Sequence, residues 1–164
     1  MWDVRRGGLP AAEVAHAEQA ACVSFNKTGE LLSTGCSDGC VRIWDPRNLK
    51  RCLHSLSWNR GCEEGLEVSK ISWAPFDQGI LASAHRNGRI LLWDLCRREE
   101  SQASRETEAR PAELMFVHEG HAMCSLADVS WSSNVKWLLA SSTESCQSTH
   151  SPSDGALQFW KPAL

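Results

Sequence analysis

The feature that most constrains this chain is a hairpin pattern between residues 30 and 53. A run of apolar and small residues ends at the dipeptide Asp38-Gly39, and the run that follows, residues 41–44, alternates apolar and polar side chains. Alternation at a period of two residues beside an Asp-Gly dipeptide is a strong short-range signal for a β-hairpin with a tight turn. We therefore predict two paired strands at this point of the chain.

The same pattern recurs, which extends the prediction from one hairpin to a repeated architecture. Four units close on a Trp-Asp or Trp-Lys dipeptide, at Trp2-Asp3, Trp44-Asp45, Trp93-Asp94 and Trp160-Lys161. Another short strand is predicted upstream of three hairpins, at residues 22–25, 70–73 and 128–131. Units of about 40–45 residues built from short strands are typical of β-propeller blades. We predict an all-β fold across residues 1–164, a propeller fragment of about three four-stranded blades, at residues 14–47, 52–96 and 114–162.

Length, charge and hydropathy exclude several classes of partner. The chain has 164 residues and a net charge of −3, so it offers no basic field and we expect no direct nucleic-acid partner. It lacks an apolar run of about 18 residues, so we expect no membrane association, and the residues after Met1 do not form a signal peptide. Without a secretion signal, the eight cysteines are expected to be reduced thiols.

The patterns that point to a metal or to catalysis are weak. His118 and His121, near Cys124, are three residues apart, whereas a zinc-protease helix needs its two histidines about four apart. Cys36 and Cys40 flank the first hairpin turn, but no second cysteine pair supplies the spacing of a zinc site. The sequence has no glycine-rich phosphate loop and no nucleophile elbow. We expect no metal, no cofactor and no enzymatic activity.

The repeats resemble those of WD-repeat proteins, and the resemblance covers essentially the whole chain. In that family each blade buries a hydrogen-bonded set of a turn Asp, a histidine, a strand hydroxyl and a strand Trp, which is favourable when every member is satisfied. By position, the resemblance implies His16, Thr34, Asp38 and Trp44 in the first unit; Ser83, Asn87 and Trp93 in the second; and His121, Ser141, Asp154 and Trp160 in the third. In the second unit no histidine stands at the family position, because an insertion fills that place.

Two connections are longer than the turns of a blade require. Residues 95–110 are charged and rich in serine, which is typical of a solvated loop with some helical character. Residues 147–153 are polar and rich in breakers, which is typical of a disordered insertion.

Two sequence segments narrow the resemblance to the retinoblastoma-binding histone-chaperone family of WD proteins. One begins at Trp44-Asp45-Pro46-Arg47 and continues to residue 56, and the other spans residues 111–121. Their order and spacing match the last three blades of that family. The resemblance implies a histone-binding scaffold subunit of chromatin assembly or modifying complexes, with histones and other subunits as partners. It also implies residence in the nucleus, with a further pool in the cytoplasm.

In that family, a loop before the second segment packs beside an N-terminal helix, and the two form a groove for a histone helix. Carried over by position, Leu114, Phe116 and Val117 supply the apolar wall, and Glu106 and Glu108 face basic histone side chains. The alternative is that Leu114 and Phe116 are strand residues of the last blade's core.

The family also holds an extended histone or corepressor tail at the top of its propeller channel. Glu67 stands where the resemblance implies an acidic channel residue, whereas Ser69 replaces an aromatic residue.

A second hypothesis is a substrate receptor of a cullin-type ubiquitin ligase. Trp44, Asp45 and Arg47 match the Trp-Asp-x-Arg pattern that such receptors present to their adaptor. A third is a generic WD scaffold for protein–protein interaction without a preference for histones.

The family's propeller has seven blades by resemblance, and closure is what removes exposed sheet edges. Three blades fall short of that number. We therefore expect a C-terminal fragment or a truncated gene model that self-associates through open sheet edges when expressed alone.

Overall fold

The computed structural model describes residues 16, 18–58, 66–97, 110–121, 124–144 and 155–163. Every regular element in these ranges is a β-strand. The strands are β1 (Ala20–Phe25), β2 (Leu32–Cys36), β3 (Val41–Asp45), β4 (Asn48–Leu56), β5 (Val68–Trp73), β6 (Ile80–His85), β7 (Ile90–Asp94), β8 (Leu114–His118), β9 (Leu126–Trp131), β10 (Leu139–Thr143) and β11 (Leu157–Trp160). Within the same ranges, no helix has the length and hydropathy needed to cross a membrane.

The strands form three antiparallel sheets in chain order. The first sheet has the order β1-β2-β3-β4, the second β5-β6-β7-β8, and the third consists of β9, β10 and β11. Each is a simple meander, in which strands that follow one another in the chain pair with each other. The prediction of an all-β chain built from consecutive blades is confirmed, with three rather than four strands described in the third sheet.

Glycine sets the turn between β2 and β3 and the turn between β6 and β7. Gly39 has a φ of +79° and Gly88 a φ of +83°, a region that residues with a Cβ atom rarely adopt. Each glycine follows a polar turn residue whose side chain accepts a backbone hydrogen bond two residues on: Asp38 from Cys40 N at 2.9 Å and Asn87 from Arg89 N at 3.2 Å. The Asp-Gly and Asn-Gly dipeptides therefore produce the turns that their chemistry predicts.

The sheets are displaced by one strand from the units predicted at residues 14–47, 52–96 and 114–162. Strand β4 pairs with β3 and completes the first sheet, and β8 pairs with β7 and completes the second. The Trp-Asp dipeptide ends the third strand of a sheet. Units that are aligned on this dipeptide therefore assign the fourth strand to the following unit, although it pairs within the same sheet. Residues 114–118 thus belong to the second blade and not to the third.

Two apolar clusters hold the three sheets together. One joins the first and second sheets and includes Ile43, Trp73 and Trp93; the other joins the second and third and includes Leu92 and Trp131. The first strands of neighbouring sheets lie side by side, with β5 contacting β1 and β9 contacting β5. The core therefore lies between blades, so each blade depends on its neighbour to remove its apolar face from water.

The described cysteines include both a disulfide-bonded residue and free thiols. Cys124 is disulfide-bonded, so the expectation of reduced thiols throughout is wrong at this residue. A thiol forms a disulfide when the fold brings a second sulfur into bonding geometry, which composition does not reveal. The other described cysteines are free: Cys22, Cys36, Cys40, Cys52 and Cys96. Burial raises the pKa of the Cys22 thiol to about 11, which keeps it protonated and unreactive at neutral pH.

Candidate protein-interaction site

A Trp–hydroxyl pair recurs in all three sheets, buried in the first two and partly buried in the third. The indole nitrogen of Trp44 donates to Thr34 Oγ1 at 2.9 Å, that of Trp93 to Ser83 Oγ at 2.9 Å, and that of Trp160 to Ser141 Oγ at 3.0 Å. In each hairpin the hydroxyl residue lies two positions after the residue that faces the Trp across the ladder. The Trp and its hydroxyl partner are therefore diagonal neighbours across the two strands in each hairpin, so the three hairpins share the same cross-strand contact.

A histidine extends this pair in the second and third sheets. His121 Nε2 lies 2.7 Å from Ser141 Oγ, and His85 Nε2 lies 3.0 Å from Ser83 Oγ. His85 Nδ1 lies 2.8 Å from the carbonyl of Leu66, so it donates there and leaves Nε2 to accept from the serine. Burial lowers the pKa of His85 to about 4, which keeps the imidazole neutral.

His85 is absent from the polar set predicted from the sequence, because the family pattern places the histidine in the segment before the sheet. The residue instead ends β6, two positions after Ser83 and on the same face of the strand. The Ser-x-His spacing at the end of a strand was the signal that could have located it.

The turn carboxylate of the first unit does not join the buried set. Both oxygens of Asp38 contact the Arg42 guanidinium, at 2.7 and 3.5 Å, while His16 Nδ1 lies 3.4 Å from Cys36 Sγ and the His16 ring meets Trp44 edge-on. Desolvation would raise the pKa of Asp38, but the hydrogen bonds from Arg42 and from the Cys40 amide outweigh it and lower that pKa. Asp38 lies in the turn itself, where the Cys40 amide and the Arg42 guanidinium already satisfy its carboxylate. Asp154, the counterpart in the third unit, lies outside the described residues.

The apolar residues assigned to the histone groove lie on β8. Leu114 is 3% exposed and belongs to the cluster between the first and second sheets, against which Val117 also packs. Phe116 is half-buried and stacks on Trp160 with ring centroids 6.1 Å apart. Leu114 is therefore a core residue, but of the second sheet and not of the last, while Phe116 and Val117 remain partly exposed. Glu106 and Glu108 lie outside the described residues.

The segment after β8 binds the third sheet. The ring of His118 stacks on Trp160 with centroids 4.1 Å apart and planes 1° from parallel, and its Nε2 lies 3.2 Å from Gln158 Oε1. Gln158 also donates to the carbonyl of Gly120 at 2.9 Å. Burial lowers the pKa of His118 and of His121, so neutral rings make these contacts.

The metal candidates suggested by sequence spacing, His118, His121 and Cys124, each have another partner. His118 is bonded to Gln158, His121 to Ser141, and Cys124 is in a disulfide. In the part of the chain that the structure describes, no group of three or more His, Cys, Asp or Glu side chains is placed to hold a metal ion.

Two acidic side chains near the turn ends of the sheets lie in ion pairs. Glu67 pairs with Arg86 at 2.9 Å, and Glu119 pairs with Arg89 at 3.0 Å. A channel ligand would meet Glu67 with its charge already balanced by Arg86, and the channel role of Glu67 stays a prediction.

The residues assigned to a ligase adaptor divide into one buried and two exposed groups. Trp44 is 7% exposed and bonded to Thr34. The Arg47 side chain is 75% exposed on the turn between β3 and β4, where its backbone amide donates to Asp45 Oδ1 at 2.8 Å. The guanidinium of Arg47 is exposed but lies 3.8 Å from Glu30 Oε1 and 3.9 Å from Asp45 Oδ1, so a partner would compete with these two ion pairs, while Trp44 is buried beneath the turn.

Comparison with known families identifies the repeat. Residues 11–45 match the model of the WD domain, G-beta repeat. In overall shape the chain resembles a solved chain from "Crystal Structure of Mitotic Checkpoint Complex", with a TM-score of 0.62 and 22% sequence identity over 92% of this chain and 37% of that one. The sheets, the repeated Trp–hydroxyl pair and this match define the class: the chain carries WD repeats arranged as consecutive propeller-type blades.

Within that class, the chain is homologous to named WD-repeat proteins of fungi. It is 37% identical to the RbAp48-related WD40 repeat-containing protein prw1 of Schizosaccharomyces pombe, over 98% of this chain and 35% of the relative. It is 29% identical to histone acetyltransferase type B subunit 2 of Candida glabrata, over 82% of this chain and 28% of the relative. The resemblance found in the sequence is confirmed by these homologues. The chain spans about a third of the length of the curated relatives it matches.

Proposed function

We propose that this chain is part of a histone-binding WD-repeat scaffold subunit of chromatin assembly or modifying complexes, working in the nucleus with a further pool in the cytoplasm. The observation that carries the proposal is homology, along 82% and 98% of the chain, to a protein named as a histone acetyltransferase subunit and to one named as RbAp48-related. A scaffold acts by binding and needs no catalytic group, so the role assigned to the chain is not enzymatic.

The surface that best suits a histone is the outer strand of the second sheet, β8, with the charged segment before it. Strand β8 lies at the edge of its sheet, and Phe116 and Val117 keep partly exposed apolar surface there. Glu106 and Glu108 precede the strand by a few residues and add negative charge. An amphipathic basic helix would place its apolar side on the strand and its cations toward these acids.

A binding experiment with two matched double variants tests this assignment. Glu106→Lys/Glu108→Lys reverses the proposed contacts, and Glu99→Lys/Glu100→Lys makes the same charge change in the same segment. Because two reversed rim charges cost a few kcal/mol at most, we expect the first variant to weaken binding of core histones about tenfold. The second should bind within a factor of about two of the unmodified chain. Equal losses in both variants, or no retention of histones by the unmodified chain, would contradict the proposal.

The exposure of Arg47 supports a second candidate function, that of a substrate receptor for a cullin-type ligase. Its side chain is 75% exposed beside Asp45, as an adaptor contact requires. The same retention experiment with the adaptor in place of histones tests it, with Arg47→Ala as the variant and Arg51→Ala, another exposed arginine on β4, as the control. Retention of the adaptor but not of histones, lost only in Arg47→Ala, would replace the histone proposal with this one.

A further inference from the structure

One interface is repeated inside this chain. Between the first and second sheets, Val41 and Ile43 of β3 share a cluster with Ile71 and Trp73 of β5. Between the second and third sheets, the positions that correspond to these, counted from the Trp of each strand, form the other cluster: Ile90, Leu92, Val129 and Trp131. Each interface thus joins the third strand of one sheet to the first strand of the next.

An indole hydrogen bond marks both interfaces. Trp73 Nε1 donates to the carbonyl of Ser24 at 3.3 Å, and Trp131 Nε1 donates to the carbonyl of Ser72 at 2.9 Å. Ser24 and Ser72 hold the same position in their strands, one residue before the last. The first strand of each sheet therefore presents an aromatic residue to the sheet before it and a carbonyl to the sheet after it.

Among the residues that the structure describes, the two outermost sheet faces are halves of this interface that have no partner. Val23 and Phe25 on β1 correspond to Ile71 and Trp73, yet they are 65% and 52% exposed, against 3% and 8%. At the other end, Leu157 and Phe159 on β11 correspond to Ile90 and Leu92, yet they are 64% and 69% exposed, against 0% for both. Large apolar side chains exposed in such a patch indicate a surface that binds protein.

A shallow cavity of about 110 Å³ lies on the second of these faces, lined by Ser130, Ala140 and Leu157 among others. Ser130 corresponds to Ser24 and Ser72, whose carbonyls receive Trp73 and Trp131 within the chain. The cavity is therefore at the place where an aromatic side chain from a following first strand would enter.

We propose that these two faces bind each other between copies of this chain, head to tail, with Phe25 of one copy at the Ser130 cavity of the next. Leu157 and Phe159 then cover Val23, as Ile90 and Leu92 cover Val129 within the chain. A second copy suits both faces, because one chain carries both halves of an interface that it already forms twice internally. Such contacts are heterologous, and two copies bring six blades together, within the range of about four to eight found in closed propellers.

This arrangement differs from pairing through open strand edges, and variants separate the two. Phe25→Asp removes one half of the interface and Phe159→Asp the other. Both residues are exposed, so neither substitution disturbs the core of the single chain. By sedimentation velocity on the full chain, we expect the unmodified protein to form dimers or larger assemblies and each variant alone to be monomeric. An equimolar mixture of the two variants should form a one-to-one dimer, since one intact face remains on each partner.

A third variant tests the cavity itself. Phe25→Trp restores the indole that Trp73 and Trp131 use at the internal interfaces and offers an N–H to the Ser130 carbonyl. One added hydrogen bond of ordinary strength should tighten association roughly fivefold. A monomeric unmodified chain, persistent dimers of either aspartate variant alone, or a mixture that stays monomeric would each overturn the proposal.

Discussion

At the scale of single residues, a relay of three buried side chains fixes the second blade. The indole of Trp93 donates to Ser83 Oγ, the Ser83 hydroxyl donates to His85 Nε2, and His85 Nδ1 donates to the carbonyl of Leu66. Trp93, Ser83 and His85 are 0%, 0% and 4% exposed, so water cannot replace a lost partner. The relay ties β6, β7 and the segment before β5 together through groups that are all satisfied, which is the condition under which a buried polar network stabilises.

The depressed pKa of His85 predicts a loss of stability in acid. The pKa is about 4 in the folded chain against an ordinary 6.5, so the unfolded chain binds the proton more readily between these values. Stability that is complete above pH 6.5 should fall as the pH approaches 4, by roughly 3 kcal/mol for this residue. His85→Gln should flatten that fall in urea unfolding curves measured from pH 7 to 4.5. The control is His54→Gln, an exposed residue on β4, which should keep the full dependence on pH; an unchanged slope in His85→Gln would contradict the assignment.

At the scale of elements, local chemistry explains the hairpins, but it does not decide to which sheet an outer strand belongs. The Asp-Gly and Asn-Gly turns, the alternation in β3 and the short apolar run of β7 act over a few residues, so the strands were predictable. Whether β4 and β8 complete the preceding sheet or start the next depends on which strand edge is free to pair. That is a contact between distant residues, which is why the predicted units are displaced from the sheets by one strand.

Strand β2 carries a close approach that predicts a sensitive glycine. A Cβ atom at Gly35 would lie 2.5 Å from Val68 Cγ1 of the second sheet and 2.6 Å from Cys22 Sγ of β1. Gly35→Ala should therefore force the first two sheets apart and cost about 1–3 kcal/mol in unfolding free energy. Gly79→Ala is the control, because its nearest neighbour is the Sγ of the exposed Cys96 at 3.3 Å, and it should change stability by less than about 0.5 kcal/mol. Equal effects of the two substitutions would show that the first two sheets are not in close contact at Gly35.

At the scale of the whole molecule, the blades are held by interfaces that include polar bonds as well as apolar contact. Trp73 Nε1 contacts Ser33 Oγ at 2.9 Å in addition to the Ser24 carbonyl, so one indole joins two strands of the preceding sheet. Ser33 is fully buried and also donates to that carbonyl at 2.9 Å. The first two blades are therefore coupled through a buried cluster of three groups.

A double-mutant cycle measures this coupling between blades. Trp73→Phe removes the indole donor and Ser33→Ala removes its acceptor, and each alone should lower the unfolding free energy. Together they should lower it by about 1 kcal/mol less than the sum of the two, because both remove the same hydrogen bond. Strictly additive losses in urea unfolding would mean that the contact between Trp73 and Ser33 contributes nothing to stability.

The class of fold and the family resemblance can be predicted from the sequence, because both rest on short-range patterns: turn dipeptides, alternation, and a Trp closing each unit. The use of particular side chains follows instead from tertiary contacts. These contacts give His85 the place in the polar set that the sequence left empty, pair Asp38 with Arg42, and bury Leu114 in the core. Each of these outcomes depends on which groups meet across strands and blades, and burial then makes the satisfied partner the stable one. The two uncovered faces likewise became visible only when the internal interfaces showed what normally covers them.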